Sequence, residues 1–432
     1  AKGFIASPLT PLILFAALAM GFIALNAIPR EEEPQISVPL VDVHVHADGL
    51  KATDAVELVT KPLEIILKGV DDVEHVYSQT VDDGAVVTAR FKVGVDSDDA
   101  ILRVHEKIRA NISDIPVDIP EPVVVGRGIN DVPILTLTLS PSPDEADHWN
   151  DNQLYKLAER LREELIKTDN VGLSFIVGGR DDQIRIEPNP ERLALFGVTL
   201  QQLAAKIRGA NMSFQAGRIR MDGDSIVVEA GQTMDGLPDI GLLLLTTRDG
   251  RPVYVSDVAT IVFGSIPEEH RVWTMRRSDE FHALPAVTVA FAKRKGANAV
   301  VVAESLLERL EILEGSLIPE GVDVAVTRNY GETASEKSNE LLFHLALATV
   351  SIVLLIVFVI GWREGLVTLV VIPTTILLTL FASNMLGYTI NRVSLFALIF
   401  SIGILVDDAI VIIENIARHW AMHDGRSRQA AA

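Results

Sequence analysis

Apolar residues gather along the chain in four long runs, 9–28, 341–360, 366–385 and 394–416, instead of being spread evenly. Each run reaches the ~20 residues that a helix needs to cross hydrocarbon, where no water satisfies backbone groups. The pattern predicts four membrane-spanning helices, the third carrying Pro373, which such helices tolerate better than soluble ones. Only the fourth run has acidic residues inside it.

Between the first and second runs the periodicity changes. Val41, Val43 and Val45 alternate with polar residues, as in a half-buried strand. A helix is predicted over 53–68, closed by Gly69 and locally weakened by Pro62, and strands follow at 73–79 and 85–93. Ser97 reads as the N-cap of a second helix, with Asp98 and Asp99 in the first turn, where the helix dipole favours them. Ile101, Val104, Ile108 and Ile112 then share roughly one face. A short strand near Val123 completes the order β-α-β-β-α-β, the split ferredoxin-like motif.

The same order is predicted a second time, in two halves. Strand 134–139, helix 150–167 (aligning Leu154, Leu157, Leu161 and Leu165) and strand 173–177 form the first half. Strand 286–291, helix 298–313 and strand 322–326 form the second. An insertion over 181–266, bounded by Gly178-Gly179 and Pro267, separates them. Long insertions at a loop add little closure entropy and often carry contacts to other molecules. The predicted fold class is a membrane protein, an α-helical bundle joined to an α+β region. The first span lies in 1–28, one ferredoxin-like unit in 29–130, and a second in 131–180 and 267–335. The insertion fills 181–266, three spans follow, and 417–432 is a tail.

Composition fits this segregation: 48% of residues are hydrophobic, yet the net charge is −20, and the mean hydropathy is +0.30. Residues 29–340 hold 32 of the 38 Lys and Arg and 53 of the 58 Asp and Glu. Greasy ends flank an acidic middle. That excludes a single water-soluble globule, a disordered chain and a nucleic-acid partner, which would need a basic surface. Without cysteine there is no disulfide framework and no thiolate metal site. Lys2, Arg363, Arg418, Arg426 and Arg428 fall on one side of the membrane, with Arg392 against them, and the basic side is cytoplasmic. The middle then lies outside, in a bacterium the periplasm. A cleaved signal peptide beginning at Lys2 is the rival reading of the first run, which exceeds the usual ~7–15-residue apolar core; either reading places residue 29 onward outside.

The strongest chemical signal is Asp407 and Asp408 in the fourth run. A charged Asp near the bilayer centre costs ~2.5–3.5 kcal/mol on insertion scales. Neighbours are ~100° apart on a helix, so the two address one wedge, expected to be the bundle interior. Such a pair can load a proton from one side and release it to the other, acting as a relay. The bland alternative, an ion pair within the bundle, finds no Lys or Arg inside the first three runs. Glu414, seven residues after Asp407, is either a point where protons enter or an interfacial carboxylate. His44 and His46 share a strand face at a spacing that suits a metal, but their alternation with valines is that of any half-solvated strand. Core packing is the default for Phe175, Phe196, Phe214 and Phe291, with an apolar pocket as the other reading. No nucleophile constellation and no phosphate loop is present, so no catalytic residues, substrate-binding residues, metal or cofactor are assigned.

Residues 403–415 (Gly-Ile-Leu-Val-Asp-Asp-Ala-Ile-Val-Ile-Ile-Glu-Asn) resemble the fourth-span motif of resistance–nodulation–division (RND) efflux permeases. Pro29-Arg30-Glu31-Glu32-Glu33-Pro34-Gln35, Gly296-Ala297-Asn298-Ala299 and Asn391 match in the same collinear order. The resemblance is to the N-terminal portion of that family. It implies a proton/substrate antiporter, not an enzyme, in the bacterial inner membrane, exporting amphipathic small molecules from the periplasm or outer leaflet. It further implies porter subdomains, a docking-type insertion, a homotrimer, the proton gradient as energy source, and a periplasmic adaptor with an outer-membrane channel as partners. Paired aspartates favour the drug-exporting branch. The family has twelve spans against four runs here, which implies a shortened product that does not transport by itself. Two competing readings are a membrane-anchored periplasmic ligand-binding or sensor module, which would not need the buried carboxylates, and a superfamily relative assisting lipid or protein export.

Overall fold

Helix α1 (Leu9–Ala27) is the first of four helices, among the described residues, that are long and apolar enough to cross a membrane. The computed structural model describes every residue except 1–6, 32, 33, 35, 37, 211, 222, 223, 233, 235, 249, 268, 269, 278–280 and 422–432. Lys2, Glu32, Glu33, Gln35, Arg426 and Arg428 lie outside the described residues, as does the side chain of Phe214.

Strand β1 (Leu40–His46) turns Val41, Val43 and Val45 inward and leaves Asp42, His44 and His46 on the wetter face. The inward valines pack against Val59, Leu63 and Leu67 of helix α2. That helix is built of Ala52–Ala55, a π turn at Val56–Thr60, and Lys61–Lys68. The π turn explains how Pro62 is accommodated. Lys61 N–H reaches back five residues to the Val56 carbonyl, so the ladder is already rephased where proline supplies no donor. Strands β2 (Val73–Val81) and β3 (Gly84–Phe91), helix α3 (Ser97–Asn111) and strand β4 (Val123–Arg127) complete this unit. Its sheet runs β2-β3-β1-β4, antiparallel throughout. Asp96, not Ser97, caps α3, its carboxylate accepting from Asp98 N–H at 2.9 Å. Both residue types cap well, and the one whose backbone is still extended takes the position.

The second unit starts with β5 (Leu135–Pro141), α4 (Asp151–Leu165) and β6 (Val171–Val177). The insertion follows: β7 (Asp182–Pro188), α5 (Pro190–Phe196), α6 (Leu200–Ala210), β8 (Met212–Met221), β9 (Asp224–Gln232), α7 (Leu237–Gly241), β10 (Leu244–Arg248), β11 (Arg251–Tyr254), α8 (Val255–Val258) and β12 (Ala259–Ser265). β7 and β12 zip antiparallel from Asp182↔Ser265 to Pro188↔Ala259, which closes the insertion on a two-stranded neck above its own core of Leu193, Leu203, Val253 and Val258. The chain then returns through β13 (Val272–Arg277), β14 (Phe281–Lys293), α9 (Ala299–Glu314) and β15 (Val322–Asn329). β14 is longer than the periodicity suggests. Its outer half pairs β13 and its inner half pairs β6 along the same edge, while β5 lies on the other edge and β15 beyond it. Leu135, Leu137 and Leu139 face Leu154, Leu161, Leu165, Phe291 and Leu306 in the core of this unit. Phe291 belongs to that core and Phe196 packs on the core of the insertion, so the phenylalanines do not line one pocket.

Helix α10 (Tyr330–Val359) follows β15 without a loop, so the second span is the inner part of a longer helix rooted in the sheet. Asn329 caps it, accepting from Glu332 N–H at 3.1 Å. α11 (Trp362–Met385) and α12 (Arg392–Ala421) complete the bundle. Leu395, Ile402 and Val406 of α12 join Leu345 and Ile356 of α10 and Ile372 and Ile376 of α11 in one apolar cluster. α1 approaches α11 at Gly21, where an added Cβ would come within 2.3 Å of the Leu377 Cβ. Small residues permit such backbone approach where helices associate by packing alone. Gly21→Val is therefore expected to force α1 and α11 apart, at a cost of about 1–3 kcal/mol for overpacking. The check is a fall in the thermal unfolding midpoint of the detergent-solubilised protein.

Candidate functional site: the aspartate pair of the fourth span

α12 is started by a reciprocal cap. Asn391 Oδ1 accepts from Ser394 N–H and Ser394 Oγ accepts from Asn391 N–H, each at 2.9 Å. Asn391, one of the residues matched at the sequence level, is itself buried. From this cap the helix runs through Asp407, Asp408 and Glu414. By helix rise Asp407 is about 24 Å from the cap, deep within a span.

The structure places all three carboxylates on exposed positions of the four-helix bundle. This corrects the expectation that Asp407 and Asp408 turn into an interior formed by these spans. The stripe that packs on α10 and α11 is Leu395, Ile402 and Val406, spaced at helical intervals, and each further residue rotates ~100° away from it. Asp407 and Asp408 follow Val406 and so fall on the flank the other three spans leave open. Among the described residues neither makes an ion pair or a hydrogen bond. Glu414 shares the exposed side but lies about two turns further toward the helix C-terminus.

A groove of about 820 Å³ runs between α11 and α12 from the capped end of α12 down to Ile404 and Leu405. Thr375, Thr379, Ser383, Thr389, Ser394 and Ser401 contribute hydroxyl-bearing side chains to its walls. It stops two residues short of Asp407. Sequence reasoning did not find this groove; the recurring Thr and Ser of 374–401 are its only trace in the sequence.

A second cavity, about 310 Å³, lies at the root of the insertion between Trp149, Asp151, Arg180, Arg271, Trp273 and Pro285. The Arg271 guanidinium lies 5.9 Å from the Trp273 ring centre. Gly178 and Gly179 take positive φ here, and a Cβ on Gly179 would meet Tyr155 Cβ at 2.8 Å, so the turn into the insertion admits only glycine. Arg180 then donates from Nε and an Nη to the two Asp151 oxygens, at 2.7 and 2.9 Å. On β1, Asp42 accepts from Thr88 and Arg127 and is not grouped with His44 and His46. No cluster of three His, Cys, Asp or Glu suited to a metal occurs among the described residues.

The Arg180 hydrogen bonds hold the Asp151 carboxyl below its usual range, and the same bonds raise Arg180. A depressed carboxyl stabilises the fold above its unfolded pKa of ~3.9, and that contribution disappears as pH falls through the folded value. Asp151→Asn is expected to lose about 1–2 kcal/mol at neutral pH, the low end for a charged bond because Arg180 is part-exposed. Its unfolding midpoint is expected to depend less on pH below about pH 4 than that of the parent protein.

A family model described as the AcrB/AcrD/AcrF family matches residues 1–432. The match spans the four apolar helices, both α/β units, the insertion and the aspartate pair together. The chain belongs to the AcrB/AcrD/AcrF family of RND efflux permeases, which are multi-pass membrane transporters and not enzymes.

Proposed function

We propose that the chain is the N-terminal part of a drug-type RND antiporter that exports amphipathic small molecules, in which protons entering through Asp407 and Asp408 drive the cycle. The observation that carries this reading is the carboxyl pair in the interior of an otherwise apolar span, turned away from the stripe that packs the bundle. Lipid is a poor neighbour for that flank, because intramembrane carboxylates require protein or water beside them. The groove that ends at Leu405 opens a path from the capped end of the helix toward the pair. Each proton that crosses brings ~2.3 kcal/mol per 100 mV of membrane potential. No cofactor is required in this scheme. Glu414, nearer the basic end of α12, is the group proposed to exchange protons with the cytoplasm.

The rest of the reading follows the fold. The antiparallel order β2-β3-β1-β4 and its counterpart β6-β14-β5-β15, each with two helices, support two ferredoxin-like porter subdomains. Residues 181–266 act as the docking-type insertion in this reading. The hairpin of β8 and β9 exposes Met212, Ile219, Ile226 and Val227, an apolar arm suited to a neighbouring protomer of a homotrimer. Trp149, Trp273 and the Asp151–Arg180 pair offer aromatic and charged surface together, as an amphipathic substrate requires. Inner-membrane location, a periplasmic α/β region, an adaptor and an outer-membrane channel complete the proposal.

Asp408→Asn tests the relay. Efflux from cells expressing the twelve-span, full-length transporter with this substitution is expected to fall to the level of cells lacking it, with the protein still present in the membrane at parental amount. Efflux at the parental rate would remove Asp408 from the mechanism.

A further inference from the structure

Directly after α1, the segment Pro29–Arg30–Glu31 touches three other parts of the molecule within three residues. Ile390 N–H donates to the Pro29 carbonyl at 2.9 Å, and Glu31 N–H donates to the Ile390 carbonyl at 2.8 Å. Ile390 immediately precedes Asn391, the cap of the aspartate-bearing helix. Arg30 donates from Nη1 to Asn339 Oδ1 of α10 at 3.0 Å. The Glu31 side chain points the other way, into the second α/β unit, where Lys293 Nζ lies 2.9 Å from Oε1.

This ion pair is buried, with Glu31 3% and Lys293 5% exposed. It borders a cavity of about 210 Å³ shared by Ile129, Ile134, Arg328 and Tyr330. By distance the two charges are paired, but the angles are not those of a hydrogen bond, so both Glu31 oxygens and Lys293 Nζ keep unused bonding capacity. Lys293 is a fixed point. It is the last residue of β14, its backbone pairs with Val171, and its carbonyl lies against Gly172, where even a Cβ would approach to 3.0 Å. Packed apolar residues would serve stability as well as a buried ion pair does, whereas a charge pair fixes one register between two bodies.

We propose that Glu31 and Lys293 form the positioning contact that ties the start of the aspartate-bearing span to the sheet of the second α/β unit. Displacement of α12 reaches Ile390, passes by two backbone hydrogen bonds to 29–31, and reaches β14 through the Glu31 carboxylate. The consequence for efflux rests on the transport reading above; the mechanical link does not.

The link is tested by hydrogen exchange at the Ile390 and Glu31 amides in the membrane-reconstituted protein. Lys293→Met changes only the far side of the pair, yet it is expected to speed exchange at Ile390 by about tenfold or more. The apolar pair Glu31→Leu with Lys293→Met, expected to fold with a parental melting midpoint, should show the same acceleration. The exchanged pair Glu31→Lys with Lys293→Glu should return to within about threefold of the parent. Parental exchange at Ile390 in the apolar pair overturns the proposal, and this variant decides if Lys293→Met fails to fold. In efflux assays of the twelve-span, full-length transporter the apolar pair is expected to lower the maximal rate with the substrate KM unchanged, and the exchanged pair to recover it. Accelerated exchange with parental efflux would overturn the functional half alone. Failure of the Asp408→Asn test would leave the exchange result standing.

Discussion

A peptide group without a partner and a carboxylate without a partner are disfavoured in hydrocarbon for the same reason, since nothing there solvates them. The protein answers the first demand within each span, by helices that close their own hydrogen bonds; Thr349, Thr368, Thr374 and Thr375 even return their hydroxyls to the preceding turn. The second demand is not met by any ion pair or hydrogen bond among the described residues. α12 spends its inward face on Leu395, Ile402 and Val406, and Asp407 and Asp408 stand on the opposite flank. A helix has room for one packing stripe per neighbour. Using it for apolar residues here keeps the bundle together without immobilising the carboxyls.

The bundle and the α/β units are joined by rigid elements. α10 emerges from β15 with no loop between them, capped by Asn329, and Tyr330 N–H donates to the Ile134 carbonyl at 2.7 Å. On the other side, 29–31 is stitched to Ile390 by backbone bonds and to Lys293 by charge. Two connections separated in space therefore join the spans to the second unit. The neck of β7 and β12, by contrast, isolates the insertion as a body with its own core.

Much of this was legible in one dimension. Val41, Val43 and Val45 alternate because one face of β1 meets α2 and α3, and Leu154, Leu157, Leu161 and Leu165 repeat because one face of α4 meets the sheet. Elements whose pairing is remote were not. β13 carries Arg271 beside it and alternates poorly, and it exists as a strand because the outer half of β14 offers an edge. The start of α3 fell on Asp96 instead of Ser97 because either side chain satisfies the first turn, and local sequence cannot rank them. The π turn before Pro62 is a response of the backbone to a missing donor, and periodicity alone gives no sign of it.

The sequence by itself determined the number and length of the apolar runs, the strand and helix periods of both units, the insertion within the second, and the presence of two carboxyls inside a span. Each of these is a property of consecutive residues, read from run length or repeat. Tertiary structure alone decided which flank of α12 the carboxyls occupy, that Arg180 clasps Asp151 at the root of the insertion, and that Glu31 meets Lys293. Those pairings depend on where distant segments are brought together, and a triplet of glutamates after α1 or a lysine ending an apolar strand carries no record of its partner until the chain has folded.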